Sequence, residues 1–188
     1  MTQERLITQI DYARAGKITP QMEAVAAKEH KTPEEIRAGV AKGRIAIPAN
    51  IHHAALSPEG VGEGMRTKVN VNLGISGDLM NAEMELEKVR TAIELGAEGI
   101  MDLSNHGKTH DFRKHLIDMS PAMIGTVPMY DAIGYLEKPL IGITAQDFLD
   151  VVRAHAEDGV DFVTIHAGMN RRTIENFKET GRLMNIVS

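Results

Sequence analysis

Cysteine is absent from this 188-residue sequence, and so is tryptophan. The first absence excludes disulfides, thiolate zinc sites and any iron–sulfur cluster held by this chain alone. The second, with only three Tyr and four Phe, removes the aromatic platform on which single-stranded nucleic acid stacks. No apolar run approaches the ~18–20 residues of a membrane-spanning helix. Charge of neither sign dominates: 21 basic against 26 acidic residues leave a formal −5, which is no broad field for nucleic acid or a membrane surface. A small anion needs only one backbone nest or one Arg, so phosphate binding stays open. The first segment, MTQERLITQIDYARAG, is charged throughout its opening turns and lacks the apolar region of a signal peptide. The expectation is a cytoplasmic protein with neither nucleic-acid nor membrane partners.

The chain is long enough for one domain with a real core and short of the about 250 residues of an eight-unit barrel. Residues 1–47 read as helices, with Thr19-Pro20 and Thr32-Pro33 as cap and first helical position and acids in the turns that follow. Residues 57–64, SPEGVGEG, read as loop. From Arg66 the rhythm changes to strands alternating with helices. Strands are expected at 67–73, 99–103, 122–127, 161–166 and 185–188. Helices are expected at 81–95, 109–119, 144–157 and 172–180, with Gly96 and Gly159 past two of their ends. That alternation means βαβ units and a parallel sheet. The fold expected is α/β, a partial (β/α)8 barrel of about five strands. It divides into an N-terminal helical and loop segment at 1–65 and the first part of a barrel at 66–188.

Polar residues recur where the expected strands end: Asn72, Met101-Asp102, Tyr130, His166 and Ser188. In a (β/α) barrel those ends converge on the active face. Asn70 and Asn72 share one strand face, and Asn is poor strand material, so the pair needs partners. They serve a ligand or merely bond loop backbone. Asp102 caps a loop as readily as it does chemistry, and Met101 alone reads as core. Tyr130 offers a hydroxyl on a ring that packs against a flat heterocycle. His166, followed by Ala167-Gly168, is an acid–base or hydrogen-bonding candidate against the plainer reading of a satisfied buried imidazole. His52 and His53 are possible metal ligands, although neighbours on an extended segment point oppositely. His106 and His110 stand i,i+4 with no acid placed beside them. The sequence has no G-x-G-x-x-G after a strand, no P-loop and no G-x-S-x-G.

Several stretches together resemble one family, phosphomethylpyrimidine synthase, the thiamine-pyrimidine enzyme ThiC. They are YARAGKITPQM, IPANIHH, KVNVNLG, IMDLS, SPAMIGTVPMYDA, EDGVDFVTIHAG and the terminal NIVS, in this order over essentially the whole chain. The resemblance implies a (β/α)8 barrel that rearranges 5-aminoimidazole ribotide into 4-amino-5-hydroxymethyl-2-methylpyrimidine phosphate by radical S-adenosylmethionine chemistry. It implies S-adenosylmethionine, a 4Fe–4S cluster and Zn2+ as cofactors and a homodimer of the full-length protein. The family's substrate-pocket positions fall on Asn72, Met101, Tyr130 and His166. Its phosphate-binding Ser-Arg-Gly turn opens at Ser188, where this sequence stops.

The sequence departs from the family's pattern at His52, where the family commonly has Asn, and at Ser104-Asn105-His106-Gly107, where Ser-Thr-Gly is usual. The family's zinc histidines and three-cysteine motif lie beyond Ser188, so the chain reads as an N-terminal part, inactive by itself. Three other readings remain open. One is 5-hydroxybenzimidazole synthase, which resembles this family and uses the same ribotide. Another is a non-catalytic ribotide-binding or assembly fragment. The last is an unrelated metal-dependent barrel using His52, His53 and Asp102.

Overall fold

In the computed structural model, residues 7–77, 81–107, 109–136, 138–168 and 170–181 are described. Three short helices come first: α1 (Gln9–Arg14), α2 (Pro20–Glu29) and α3 (Pro33–Ala41). Each begins on a threonine whose side chain accepts from an otherwise orphaned N–H: Thr8 from Asp11, Thr19 from Met22, Thr32 from Glu35. Their apolar faces enclose a small core of Ala13, Met22, Val25, Ile36 and Val40, continued by Ile45 and Ile47. Ile45 belongs to β1 (Ile45–Ala46), which pairs antiparallel with β2 (Val61–Gly62). The stretch expected as loop at 57–64 therefore contains a strand.

The second unit is a parallel sheet in the order β3 (Asn70–Leu73), β4 (Gly99–Asp102), β5 (Met123–Thr126) and β6 (Phe162–Val163). Between the strands run α4 (Ala82–Glu94), α5 (His110–Met119), α6 (Pro128–Leu136) and α7 (Ala145–Asp158), and α8 (Arg171–Thr180) follows β6. One strand face, with Val71, Leu73, Ile100 and Ile124, packs on Leu86, Val89, Phe112, Leu116 and Ile117 of the helices. By the two-residue alternation of strands, Asn70, Asn72, Met101, Met123 and Phe162 share the opposite face.

This is the βα succession the sequence led one to expect, as an open sheet. β3 and β6 are its edges among the described residues, and no closed barrel is formed there. The fifth strand expected at 185–188 lies outside the described residues. All four strands are shorter than expected, β3 and β6 the most. β3 starts at Asn70 because the residues before it serve an ion-pair network: Arg66 bonds Glu59 at 3.1 Å and also Glu98, Lys68 bonds Glu29, and the Val69 N–H donates to Glu98 Oε2 at 2.6 Å. β6 ends at Val163, though the Thr164 N–H still donates to the Thr126 carbonyl. α6 was not anticipated; Pro128 starts it, at the helical position that needs no N–H donor.

The two units are joined by the segment IPANIHH. Asn50 donates from its Nδ2 to the carbonyls of Ala156 and Val160, each at 2.8 Å, and from its backbone to Asp161 Oδ1. His53 Nδ1 lies 2.7 Å from Asp161 Oδ2 and Nε2 lies 2.8 Å from the Ser120 carbonyl, with both side chains fully enclosed. A carbonyl only accepts, and an ionised carboxylate only accepts, so both ring nitrogens donate and His53 is an imidazolium. Burial by itself would lower its pKa. The Asp161 carboxylate, helped by the Ser120 carbonyl, outweighs burial and raises it above the usual 6.5.

A raised folded-state value contributes fully below about pH 6.5 and is lost as pH climbs through that raised value. Thermal melts should therefore lose stability on the alkaline side. His53→Ala should abolish that slope and cost about 3 kcal/mol or more, because Asp161 loses its counter-charge while remaining buried. A variant that keeps the slope would show that another group titrates.

Candidate functional site

The loops after β3 and β4 are laced together, and this sets the end of β3. The Leu103 N–H donates to the Leu73 carbonyl at 2.8 Å and the Asn105 N–H to the Ile75 carbonyl at 3.1 Å. Asp102 accepts from the Ser104 N–H at 2.9 Å and its hydroxyl at 2.5 Å, and Ser104 Oγ accepts from the Ile75 N–H at 2.9 Å. Burial pushes the Asp102 carboxyl up, against the two Ser104 donors that pull it down. Gly74, at φ +150°, lets the two loops touch, since a Cβ there would lie 2.6 Å from the Ser104 backbone nitrogen. Buried Glu85 receives the Gly74 N–H at 3.0 Å.

Register then puts Asn72 beside Met101, Met101 beside Gly125 and Gly125 beside Phe162. The Asn70 Nδ2 donates to Asn72 Oδ1 at 2.8 Å, so one asparagine orients the other. Among the described residues the Asn72 Nδ2 makes no hydrogen bond, and the side chain is exposed. Gly125 carries no side chain because Met101 Sδ would lie 2.6 Å from its Cβ and the Phe162 ring also crowds it. Toward the strand starts the same face opens on a cavity of about 550 Å3, walled by Met101, Met123, Phe162 and Lys68 and covered by Ala46, Pro48 and Val61.

Tyr130 and His166 form the second pair. Tyr130 sits on the first turn of α6 and not on a strand end as expected. Its ring centroid is 5.6 Å from that of His166, with a tilt of 39°. The Tyr130 hydroxyl and His166 Nδ1 are both buried, and neither has a hydrogen-bond partner among the described residues. Two such orphans beside each other are unusual, because an unpaired buried polar group costs about 1–3 kcal/mol. Thus four of the five strand-end candidates form two pairs, and Ser188 lies outside the described residues.

The metal-site reading is overturned for two of its three residues. Both nitrogens of His53 are consumed by Asp161 and Ser120, which leaves no lone pair for an ion. Asp102 is enclosed and committed to Ser104, while His52 stays exposed. His110 reaches Asp158 at 2.8 Å instead of pairing with His106. Among the described residues no group of three or more His, Asp and Glu is placed to hold a metal ion.

Sequence reasoning missed two acids, Asp131 and Asp161, and it had Asp102 without its partner Ser104. Asp131 carried a signal, an acid three positions into a proline-led helix start. Asp161 carried another, an acid at the head of an apolar strand, where Asp is disfavoured.

Residues 8–188 match the radical SAM ThiC family. A phosphomethylpyrimidine synthase of Alkaliphilus metalliredigens is 64% identical over 181 residues, which are 96% of this chain and 41% of that protein. The enzymes of the same name from Clostridium tetani and Clostridium perfringens are 61% and 59% identical over the same share of the chain, 40% and 42% of their own lengths. The chain thus spans about two-fifths of the curated relatives it matches. A match that takes in the N-terminal helices, the clasp at IPANIHH and every strand of the sheet is to the whole of this architecture, and the chain belongs to the radical SAM ThiC family.

Proposed function

We propose that this chain supplies the ribotide-binding side of a phosphomethylpyrimidine synthase in thiamine biosynthesis. The full-length protein would act as a homodimer and convert 5-aminoimidazole ribotide into 4-amino-5-hydroxymethyl-2-methylpyrimidine phosphate. The observation that carries the reading is the pair of buried, unpartnered polar atoms, the Tyr130 hydroxyl and His166 Nδ1. The names of relatives at about 60% identity support it.

The chemistry of such groups suits an aminoimidazole ribotide. The Asn72 carboxamide, turned by Asn70, presents its amide N–H bonds to a ring nitrogen or ribose oxygen. Tyr130 donates or accepts through its hydroxyl, His166 answers through Nδ1, and Met101 gives an apolar wall. Together they bind and orient; none is assigned a proton transfer. The family's chemistry calls for S-adenosylmethionine and a 4Fe–4S cluster, with Zn2+ in the reading adopted here. The sequence contains no cysteine, so the residues present do not fit the cluster. Cluster and zinc ligands would come from other parts of the full-length protein, and the phosphate turn from Ser188 onward.

Asn72→Ala and His166→Ala in the full-length protein should each weaken ribotide binding by roughly ten- to hundredfold, with Tyr130→Phe at the lower end. Calorimetric titration with the ribotide reads this directly, and unchanged affinity in all three would remove the assignment. Product analysis by mass separates the pyrimidine phosphate from a benzimidazole. A complementary outcome concerns the 188-residue chain itself. Anaerobic incubation with iron and sulfide should leave it without cluster absorbance.

A further inference from the structure

A buried charged cluster lies behind the helix that carries Tyr130, and none of its members belongs to the ribotide contacts. Asp131 Oδ1 accepts from the Thr109 hydroxyl at 2.7 Å. Asp131 Oδ2 accepts from Arg113 Nη1 at 3.2 Å and lies 2.9 Å from His155 Nε2. Each donor is itself tied down. Arg113 bonds Asp158 through Nε at 2.8 Å and Thr109 through Nη1 at 2.7 Å. His155 Nδ1 meets the Thr126 hydroxyl at 2.8 Å. Thr126 ends β5, Thr109 and Arg113 open α5, and His155 and Asp158 close α7. Five groups from three elements thus converge on or behind one carboxylate that is 3% exposed.

Asp131 and Tyr130 are consecutive in the first turn of α6, about 100° apart around the helix axis. With Asp131 held in the helix layer, the ring one position earlier is turned toward His166. A first turn has few backbone bonds to set its rotation; here the Tyr130 N–H donates to the Val127 carbonyl at 2.9 Å and the side chain of Asp131 supplies the rest.

We propose that Asp131 is a positioning residue for the Tyr130 hydroxyl: its carboxylate, gripped by Thr109, Arg113 and His155, sets the rotation of the α6 first turn and so the place of the phenol beside His166. Burial would raise the Asp131 pKa, and its three donors, His155 foremost, outweigh burial and hold it low, in keeping with an anion at the centre of the grip. The consequence for binding rests on the ribotide reading of Tyr130. The placement of the ring does not.

The test uses the full-length protein with ring-labelled tyrosine, the Tyr130 resonance being assigned by its loss in Tyr130→Phe. Asp131→Asn keeps the size and removes the charge. It should shift or split the Tyr130 resonance and weaken binding of 5-aminoimidazole ribotide about tenfold, the scale of one hydrogen bond. In a Tyr130→Phe background the same change should add little further loss. Glu59→Gln alters another buried carboxylate, in the N-terminal ion-pair network, and should leave the resonance in place. Should Asp131→Asn fail to fold, Thr109→Val removes one of the three donors and should move the resonance less, in the same direction. An unmoved Tyr130 resonance in the folded variant overturns the proposal, and so does an equal shift in Glu59→Gln. A shifted resonance in a protein that does not bind the ribotide supports the positioning and sinks the ribotide reading alone.

Discussion

One carboxylate, that of Asp161, meets three parts of the chain that are far apart in sequence. It receives the backbone N–H of Asn50 through one oxygen, and the Ile124 N–H and the His53 ring through the other, at 2.7–2.8 Å. Remove it and the N-terminal segment loses its anchor, β5 loses a bond at its start, and an imidazolium is left enclosed without a counter-ion. Desolvating such charges is expensive unless they are well hydrogen-bonded, and here both ring nitrogens and both carboxylate oxygens are. The arrangement stabilises little beyond an apolar packing of equal shape. What it adds is uniqueness: only one register of the IPANIHH segment against the sheet satisfies all of these donors.

A similar device recurs in the loops and helix start that follow β3, β4 and β5. Asp102 gathers Ser104, Glu85 takes the Gly74 N–H, and Asp131 collects three side chains from two helices. All of these acids lie on the helix side of the sheet or in the loops. The opposite face, with Asn70, Asn72 and Met101, is left free of such commitments. The division makes physical sense. Groups that hold the frame are satisfied internally, whereas the Tyr130 hydroxyl and His166 Nδ1 keep unsatisfied valences among the described residues.

The βα succession was legible because its signals are local: caps at Thr19, Thr32 and Thr144, glycines after α4 and α7, and apolar alternation between. Asn72 and Met101 were legible for the same reason, since strand parity places them on one face. Tyr130 was read as following a strand that ends at Val127, but Pro128 starts a helix there and places Tyr130 on its first turn. His53 could not be read from sequence at all. Its partners Ser120 and Asp161 are 67 and 108 residues away, and no period or spacing reports a contact of that range. The same holds for Arg113, whose partners Asp131 and Asp158 come from two later helices.

Met101, Gly125 and Phe162 sit side by side on neighbouring strands, with the two large side chains closing over the position where the glycine has none. They behave as a single volume divided among three codons. A methyl group gained at 125 has to displace the Met101 thioether or the Phe162 ring, both at the wall of the cavity, or be given back as volume at 101 or 162. Drift at these three positions is therefore linked: a lineage that trades the glycine for alanine should carry a smaller neighbour on one side, and the thioether beside Asn72 is the more pliable of the two to yield.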